Sequence, residues 1–268
     1  MGHFGGYQSR IRFGGGLTPT VKALLIANVA VFGVQLLLHV SVPHISLRFE
    51  TMFALTPALA IGRLHLWQFF TYAFLHEVVN VLPLHLFFNM LFLWIFGGDV
   101  ERSLGRKRFL QLYFGGVLAA GLCMVPMYRS AVVGASGAVF AVMAIYGRFF
   151  PHRTLLIWGL FPIKARTLVL ALVGLEMFFL LTGGRGNVAH LAHLGGFAFG
   201  WFFIQLESSV KTYRDKQETG RADREREEAR KEREKVDELL AKVGREGLNS
   251  LTRSEREFLK KASKTYRD

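Results

Sequence analysis

The residue types in this chain that can carry out acyl transfer are a serine, three histidines and an asparagine, all set in apolar runs. Ser136 stands among small residues in Val133-Gly134-Ala135-Ser136-Gly137-Ala138-Val139-Phe140-Ala141, at the mouth of an apolar run continuing to about Tyr146. Glycine has no Cβ, so Gly134 and Gly137 permit a strained or closely packed backbone around the hydroxyl. If a helix starts at about Gly137, unpaired N–H groups surround Ser136 and favour an anion developing near its Oγ. The same small residues suit close helix packing in a membrane, so Ser136 alone decides nothing. What decides is whether histidines converge on it.

Polar side chains inside apolar spans are costly and functional by default. His85 and Asn89 are four residues apart and share one helix face. His190 and His193 are three apart in another run. A neutral imidazole in reach of Ser136 Oγ takes its proton as the acyl carbon is attacked. The Ser136 backbone N–H, the Asn89 amide and the His85 ring are the candidate donors for the resulting oxyanion. No Asp is placed to orient the base, so the pattern predicts a Ser–His dyad rather than a triad. Phe140, one turn below Ser136, offers a ring on which an imidazole can stack.

These residues need a membrane scaffold, and the composition supplies one. The 268 residues are 51% hydrophobic with 25 phenylalanines and a mean hydropathy of +0.29, too apolar for an ordinary soluble domain. Residues 1–206 hold only five acids: Glu50, Glu77, Asp99, Glu101 and Glu176. The last 62 residues hold 15 acids and 18 of the 33 Lys and Arg. This divides the chain into a flexible arm (1–19), a membrane domain (20–206) and a charged tail (207–268). Most of the +13 net charge lies in the membrane part, where topology explains it and no nucleic-acid partner is needed. A lone Cys123 excludes an intrachain disulfide and a cysteine zinc cluster.

Apolar runs at about 23–42, 82–97, 109–127, 131–147, 167–182 and 188–206 predict six spans, several shorter than the roughly 20 residues a bilayer asks for. Lys and Arg number eleven against four on alternate sides, which places both termini in the cytoplasm and Ser136 toward the outer leaflet. His85, Asn89, His190 and His193 then lie at the depth of Ser136. The 43–81 segment, with Trp67, Phe69, Phe70, Tyr72 and Phe74, is expected in the membrane interface. Its His76-Glu77-Val78-Val79-Asn80 lacks the second histidine of a two-His zinc helix, and no metal or cofactor is expected. Glu176, inside the fifth run, receives no catalytic role. It pairs with a neighbouring helix or faces a water-filled cavity.

The tail alternates charge at i, i+4 spacing from Arg221, which suits an exposed helix. Val236, Leu239, Leu240 and Val243 form a short apolar stripe, and Thr252-Arg253-Ser254-Glu255 fits a capping box opening a second helix with Phe258 and Leu259. The expectation is a helical hairpin serving self-association or a protein partner.

With these pieces in place, the chain resembles the rhomboid family of intramembrane serine proteases. The matching residues are Gly134-Ala135-Ser136-Gly137, His85-x-x-x-Asn89, Ala192-His193-Leu194-Gly195-Gly196-Phe197-x-x-Gly200, Trp67-Gln68 and Glu101-Arg102-Ser103-Leu104-Gly105. The resemblance covers about residues 20–206. It implies an all-α bundle of six transmembrane helices, with Ser136 as nucleophile and His193 as general base. His85, Asn89 and the Ser136 N–H would line the oxyanion hole. Gly196 and Gly200 would pack the sixth span on the fourth, and His190 would support the site. Many relatives carry Trp-Arg at Trp67-Gln68 and Tyr at Phe140, and neither departure touches the dyad. The implied substrates are single-pass membrane proteins, cut near the outer boundary where a helix unwinds readily. The compact core without a eukaryotic sorting signal points to a bacterial inner membrane. The alternatives are a non-catalytic rhomboid-like protein that binds membrane clients, and a histidine-lined transporter. The transporter would need acids among the histidines, and the sequence shows none beside them.

Overall fold

The computed structural model describes residues 16–78, 83–127, 129–157, 160–183 and 187–265. Most of the N-terminal arm, residues 1–15, lies outside them. The described chain divides into two compact units, Met1–Gln205 and Leu206–Asp268.

The first unit is a helix bundle. Its long helices are α1 (Pro19–Ser41), α5 (Leu84–Leu104), α6 (Arg106–Cys123), α7 (Ser136–Phe149), α8 (Ala165–Thr182) and the opening of α9 (Asn187–Glu246), with α2 (Pro43–Phe53), α3 (Pro57–Gly62) and α4 (Gln68–Thr71) between α1 and α5. Among the described residues, α1, α5 and α8 are long and apolar enough to cross a membrane, and α7 is a shorter apolar helix. Prolines open α1, α2 and α3, where their missing N–H goes unused.

α7 forms the centre. Every residue from Gly137 to Tyr146 is buried, and the surrounding core includes Leu93 and Phe96 of α5 and Leu112, Tyr113, Val117 and Ala120 of α6. α8 is the opposite case: only Ala165 and Val169 are buried, and Leu170, Leu175, Phe178 and Leu181 are exposed. In a bilayer those exposed side chains meet acyl tails.

Two features correct the expectation of an all-α bundle with loops at the positive ends. Residues 98–108 are not a loop. α5 runs to Leu104 and only Gly105, at φ +79°, separates it from α6. The carboxylate of Glu101 is buried there and accepts from the Thr18 hydroxyl and, at 3.3 and 3.1 Å, from the Thr20 and Val21 N–H groups, so it caps α1 from another helix. Second, β1 (Thr154–Ile157) and β2 (Phe161–Lys164) pair antiparallel between α7 and α8, satisfying each other's backbone groups. Asp99 pairs with both Arg102 and Arg153, tying the start of this hairpin to α5.

The aromatic segment before α5 is folded onto the bundle. Gln68 is fully buried. Its amide nitrogen donates to the Thr51 carbonyl at 2.9 Å and its oxygen accepts the Thr56 N–H at 3.2 Å. Trp67 Nε1 donates to the Met52 carbonyl at 2.9 Å. Trp67 and Phe70 stay exposed, whereas Phe69 and Tyr72 are buried.

The second unit holds the remainder of α9 and α10 (Arg253–Thr265). The capping box is formed: Glu255 accepts from the Thr252 N–H at 2.7 Å, and Thr252 Oγ1 accepts the Glu255 N–H at 3.3 Å. Lys242 pairs with Glu255 at 3.2 Å, and Lys235 lies over the Phe258 ring. The apolar seam differs from the predicted stripe by losing Leu240 and gaining Leu251 and Ala262. Leu239, Leu251 and Ala262 are buried, but Leu240 is exposed.

Candidate active site

Ser136 is the first residue of α7, so its side chain sits among the unpaired N–H groups of that helix. The segment leading into it is fixed by backbone pairing to the folded aromatic loop. Val132 and Leu55 exchange hydrogen bonds at 2.9 and 3.1 Å, and the Gly134 N–H donates to the Tyr72 carbonyl at 2.9 Å. Tyr72 in turn donates its hydroxyl to the Val117 carbonyl at 2.7 Å. Gly134 adopts φ +118°, and a Cβ there would come within 2.7 Å of His85 Nε2. Only glycine meets both demands.

His193 reaches Ser136 because α9 lies backbone-to-backbone on α7. A Cβ on Gly196 would collide with the Gly137 carbonyl, and one on Gly200 with the Ala141 backbone. The result is a 2.7 Å contact between His193 Nε2 and Ser136 Oγ. The imidazole is stacked on Phe140, with centroids 4.8 Å apart and planes 9° from parallel.

Ser136, His193 and His85 open into one cavity of about 730 Å³, also bordered by Glu77, Val132 and Val133. Asn89 is buried behind them. Its amide nitrogen donates to the His85 carbonyl one turn back at 2.8 Å, which leaves one amide hydrogen for other use. Of the expected oxyanion-hole residues, Ser136 and His85 line the cavity, and Asn89 is buried one turn from His85 on α5.

Two residues at the site carry roles the spacing did not show. His76 is buried, and its ring packs edge-on against His85 with centroids 5.2 Å apart. Its backbone is clamped by Gln35, which accepts from the His76 N–H at 3.0 Å and donates to the His76 carbonyl at 3.1 Å. Burial, reinforced by neighbouring His85, pulls the His76 pKa down to about 3, so the ring is neutral. Of the apparent zinc-motif fragment at 76–80, His76 packs against His85, and Val79 and Asn80 lie outside the described residues.

The second is Glu176. The expectation that no acid stands among the histidines is wrong. α8 carries the Glu176 carboxylate to 2.5 Å from His190 Nδ1 and 3.0 Å from His193 Nδ1. His190 also stacks on Phe179 of α8, centroids 5.4 Å apart. No sequence spacing announces this contact, because the groups sit on different helices. Glu176, His190 and His193 can each offer one metal-ligating atom, all within 4.8 Å of one another. An ion on Nδ1 of His193 would leave the ring proton on Nε2, which then could not accept from Ser136. Metal binding and base catalysis by His193 exclude each other.

The profile of the rhomboid domain matches residues 63–209, more than half of the chain. The chain belongs to the rhomboid family. It is 31% identical over 131 residues to rhomboid protease GlpG of Haemophilus influenzae, covering 48% of this chain and 66% of that protein. It is 33% identical over 130 residues to the mitochondrial Rhomboid protein 1 of Saccharomyces cerevisiae (44% of this chain, 37% of that one). It is 31% identical over 156 residues to the mitochondrial RHOMBOID-like protein 12 of Arabidopsis thaliana (51% and 44%). The chain thus spans less than half the length of these two mitochondrial relatives. A family of unknown function, DUF6576, matches residues 222–265 of the tail. Rhomboid membership, with the apolar helices, makes this an integral membrane protein and supports intramembrane protease activity at the level of the family.

Proposed function

We propose that the chain is an intramembrane serine endopeptidase in which Ser136 is the nucleophile and His193 the general base. The observation that carries this is the 2.7 Å contact of His193 Nε2 with Ser136 Oγ at the wall of a cavity large enough for a peptide segment. Ser136 Oγ gives its proton to Nε2 as it bonds to the scissile carbonyl carbon, whose π electrons move to oxygen. The Ser136 N–H, His85 Nε2 and the free hydrogen of the Asn89 amide are the donors to that oxyanion. Nε2 returns the proton to the leaving nitrogen, and water repeats the sequence on the acyl-enzyme. No cofactor or metal enters these steps.

Six helices occur at the six apolar runs, which supports a six-span bundle whose short α7 sits in thinned or protein-lined surroundings. The charge asymmetry favours cytoplasmic termini, an active site toward the outer leaflet and, in a bacterium, the inner membrane. The substrates are then single-pass transmembrane proteins reached through the lipid bilayer, and the tail is the surface for a protein partner or a second copy.

The test needs no substrate. Purified protein in detergent is treated with a fluorophosphonate probe beside Ser136→Ala and His193→Ala. Labelling of the parent alone supports an activated Ser136, and cleavage of a transmembrane reporter in liposomes extends it to peptide bonds. A folded parent that neither labels nor cleaves fits a client-binding rhomboid without activity.

A further inference from the structure

We propose that Glu176 is a positioning residue for the base, turning the Ser136–His193 pair into a relay completed from α8. This rests on the catalytic reading above. α8 is otherwise held to the bundle in its first half, by buried Ala165 and Val169 and partly buried Leu168 and Leu172, and many of its later residues are exposed and apolar. A carboxylate on such a helix is expensive unless it finds partners, and Glu176 turns inward to two imidazoles. His190 Nδ1 is the near partner at 2.5 Å, and its own ring is fixed by Phe179.

The geometry at His193 differs. Glu176 Oε2 is 3.0 Å from Nδ1, within ion-pair reach, yet out of line with the ring N–H, so Nδ1 is a buried nitrogen without an aligned hydrogen bond. In the resting state His190 therefore holds the carboxylate. When Ser136 gives its proton to Nε2, the imidazolium places a positive charge 3.0 Å from Glu176. The carboxylate stays ionised, accepts the Nδ1–H and takes no proton. An interaction that strengthens only as the charge develops accelerates the chemical step without tightening the ground state. The carboxylate also selects the tautomer with hydrogen on Nδ1 and the lone pair on Nε2 toward Ser136.

Glu176→Gln preserves size but puts an amide N–H beside Nδ1, favouring the tautomer that cannot accept from Ser136. The full chain is reconstituted in liposomes and labelled with fluorophosphonate over a range of probe concentrations, separating the maximal inactivation rate from the probe affinity. The expected result for Glu176→Gln is a maximal rate lowered about 100-fold, an apparent affinity within about twofold and an unfolding temperature close to the parent's. Glu176→Asp, which keeps the charge, should recover at least about tenfold of that loss. A maximal rate within about twofold of the parent in Glu176→Gln overturns the relay and leaves the dyad standing. Equal losses in Glu176→Gln and Glu176→Asp, accompanied by a lower unfolding temperature, also overturn it, because they describe a helix latch. A folded parent that does not label at all removes the catalytic reading itself, and the relay with it.

Discussion

Ser136 and His193 are held in opposite ways. α7 buries every residue from Gly137 to Tyr146, and the segment entering it is pinned to the aromatic loop by backbone hydrogen bonds. His193 sits on α9 between that fixed helix and Glu176 of α8, a helix that buries little of its own length. One side of the site is fixed by packing density. On the other, α9 packs Ala192, Phe197 and Phe199 on the core, and His193 itself is set by close glycine contacts, one aromatic stack and one carboxylate. Densely packed elements resist displacement, whereas sparsely buried ones move at little cost. The site is therefore most sensitive where helices approach at backbone distance.

The sharpest break in that arrangement is Gly200→Val. Its side chain would overlap the Ala141 backbone, so α9 must move off α7 and His193 with it. Overpacking of this kind costs about 3 kcal/mol, and the expected outcome is loss of probe labelling with a lowered unfolding temperature. Retained labelling would show that α9 reaches Ser136 without the close glycine contact.

Next in size is a reversible effect. Micromolar Zn²⁺ should inhibit labelling, because an ion held by Glu176, His190 and Nδ1 of His193 removes the lone pair that Ser136 needs. A chelator should leave the untreated enzyme unchanged. Loss of activity on chelation would instead place a metal in the reaction.

What could be read from the sequence follows the same division. Ser136, His85 and His193 were legible because each is a polar residue in an apolar run, and helix starts and i, i+4 faces follow from local sequence. The capping box at Thr252–Glu255 was legible for the same reason. Glu176 was visible as an anomaly, but its partners lie across a helix pair and no periodicity links them. The partners of Gln35, Gln68 and Glu101 were hidden more deeply, since they are backbone groups that exist only once loops and helix ends are in place. The β1–β2 hairpin was missed because its apolar residues fell in a segment read only for positive charge.

Glu101 tests how far the stable side can be weakened without touching the site. Glu101→Ala leaves the Thr20 and Val21 N–H groups of α1 without their acceptor, and should cost about 2 kcal/mol. Thermal unfolding should shift down while labelling per folded molecule is kept. A fall in labelling per folded molecule would mean that the α1 cap transmits to Ser136.

His76 gives the same side a pH signature. Its folded pKa is depressed to about 3 from an ordinary 6.5, chiefly by burial, so unfolded chains take up a proton that folded chains refuse. Its contribution is complete above about pH 6.5 and is lost as the pH falls from there toward 3. His76→Phe should flatten that part of the stability curve, as followed by unfolding temperature between pH 4 and 7. An unchanged slope would assign the acid sensitivity to other groups.

The smallest effect belongs to the tail, and it separates the two units. The Glu255 carboxyl is held below its usual range by the Thr252 N–H and hydroxyl and by Lys242. It supports the α10 start above about pH 4.5, and that support fades as the pH falls through its lowered value. Glu255→Gln removes the charge and the Lys242 pair, so α10 should fray, seen as a small loss of helical signal and faster amide exchange over residues 253–265. Labelling of Ser136 should not change, because the cap belongs to the second unit and Ser136 to the first. If labelling does fall, the tail acts on the rhomboid domain, and the contrast between a fixed and a movable half of the site would have to include it.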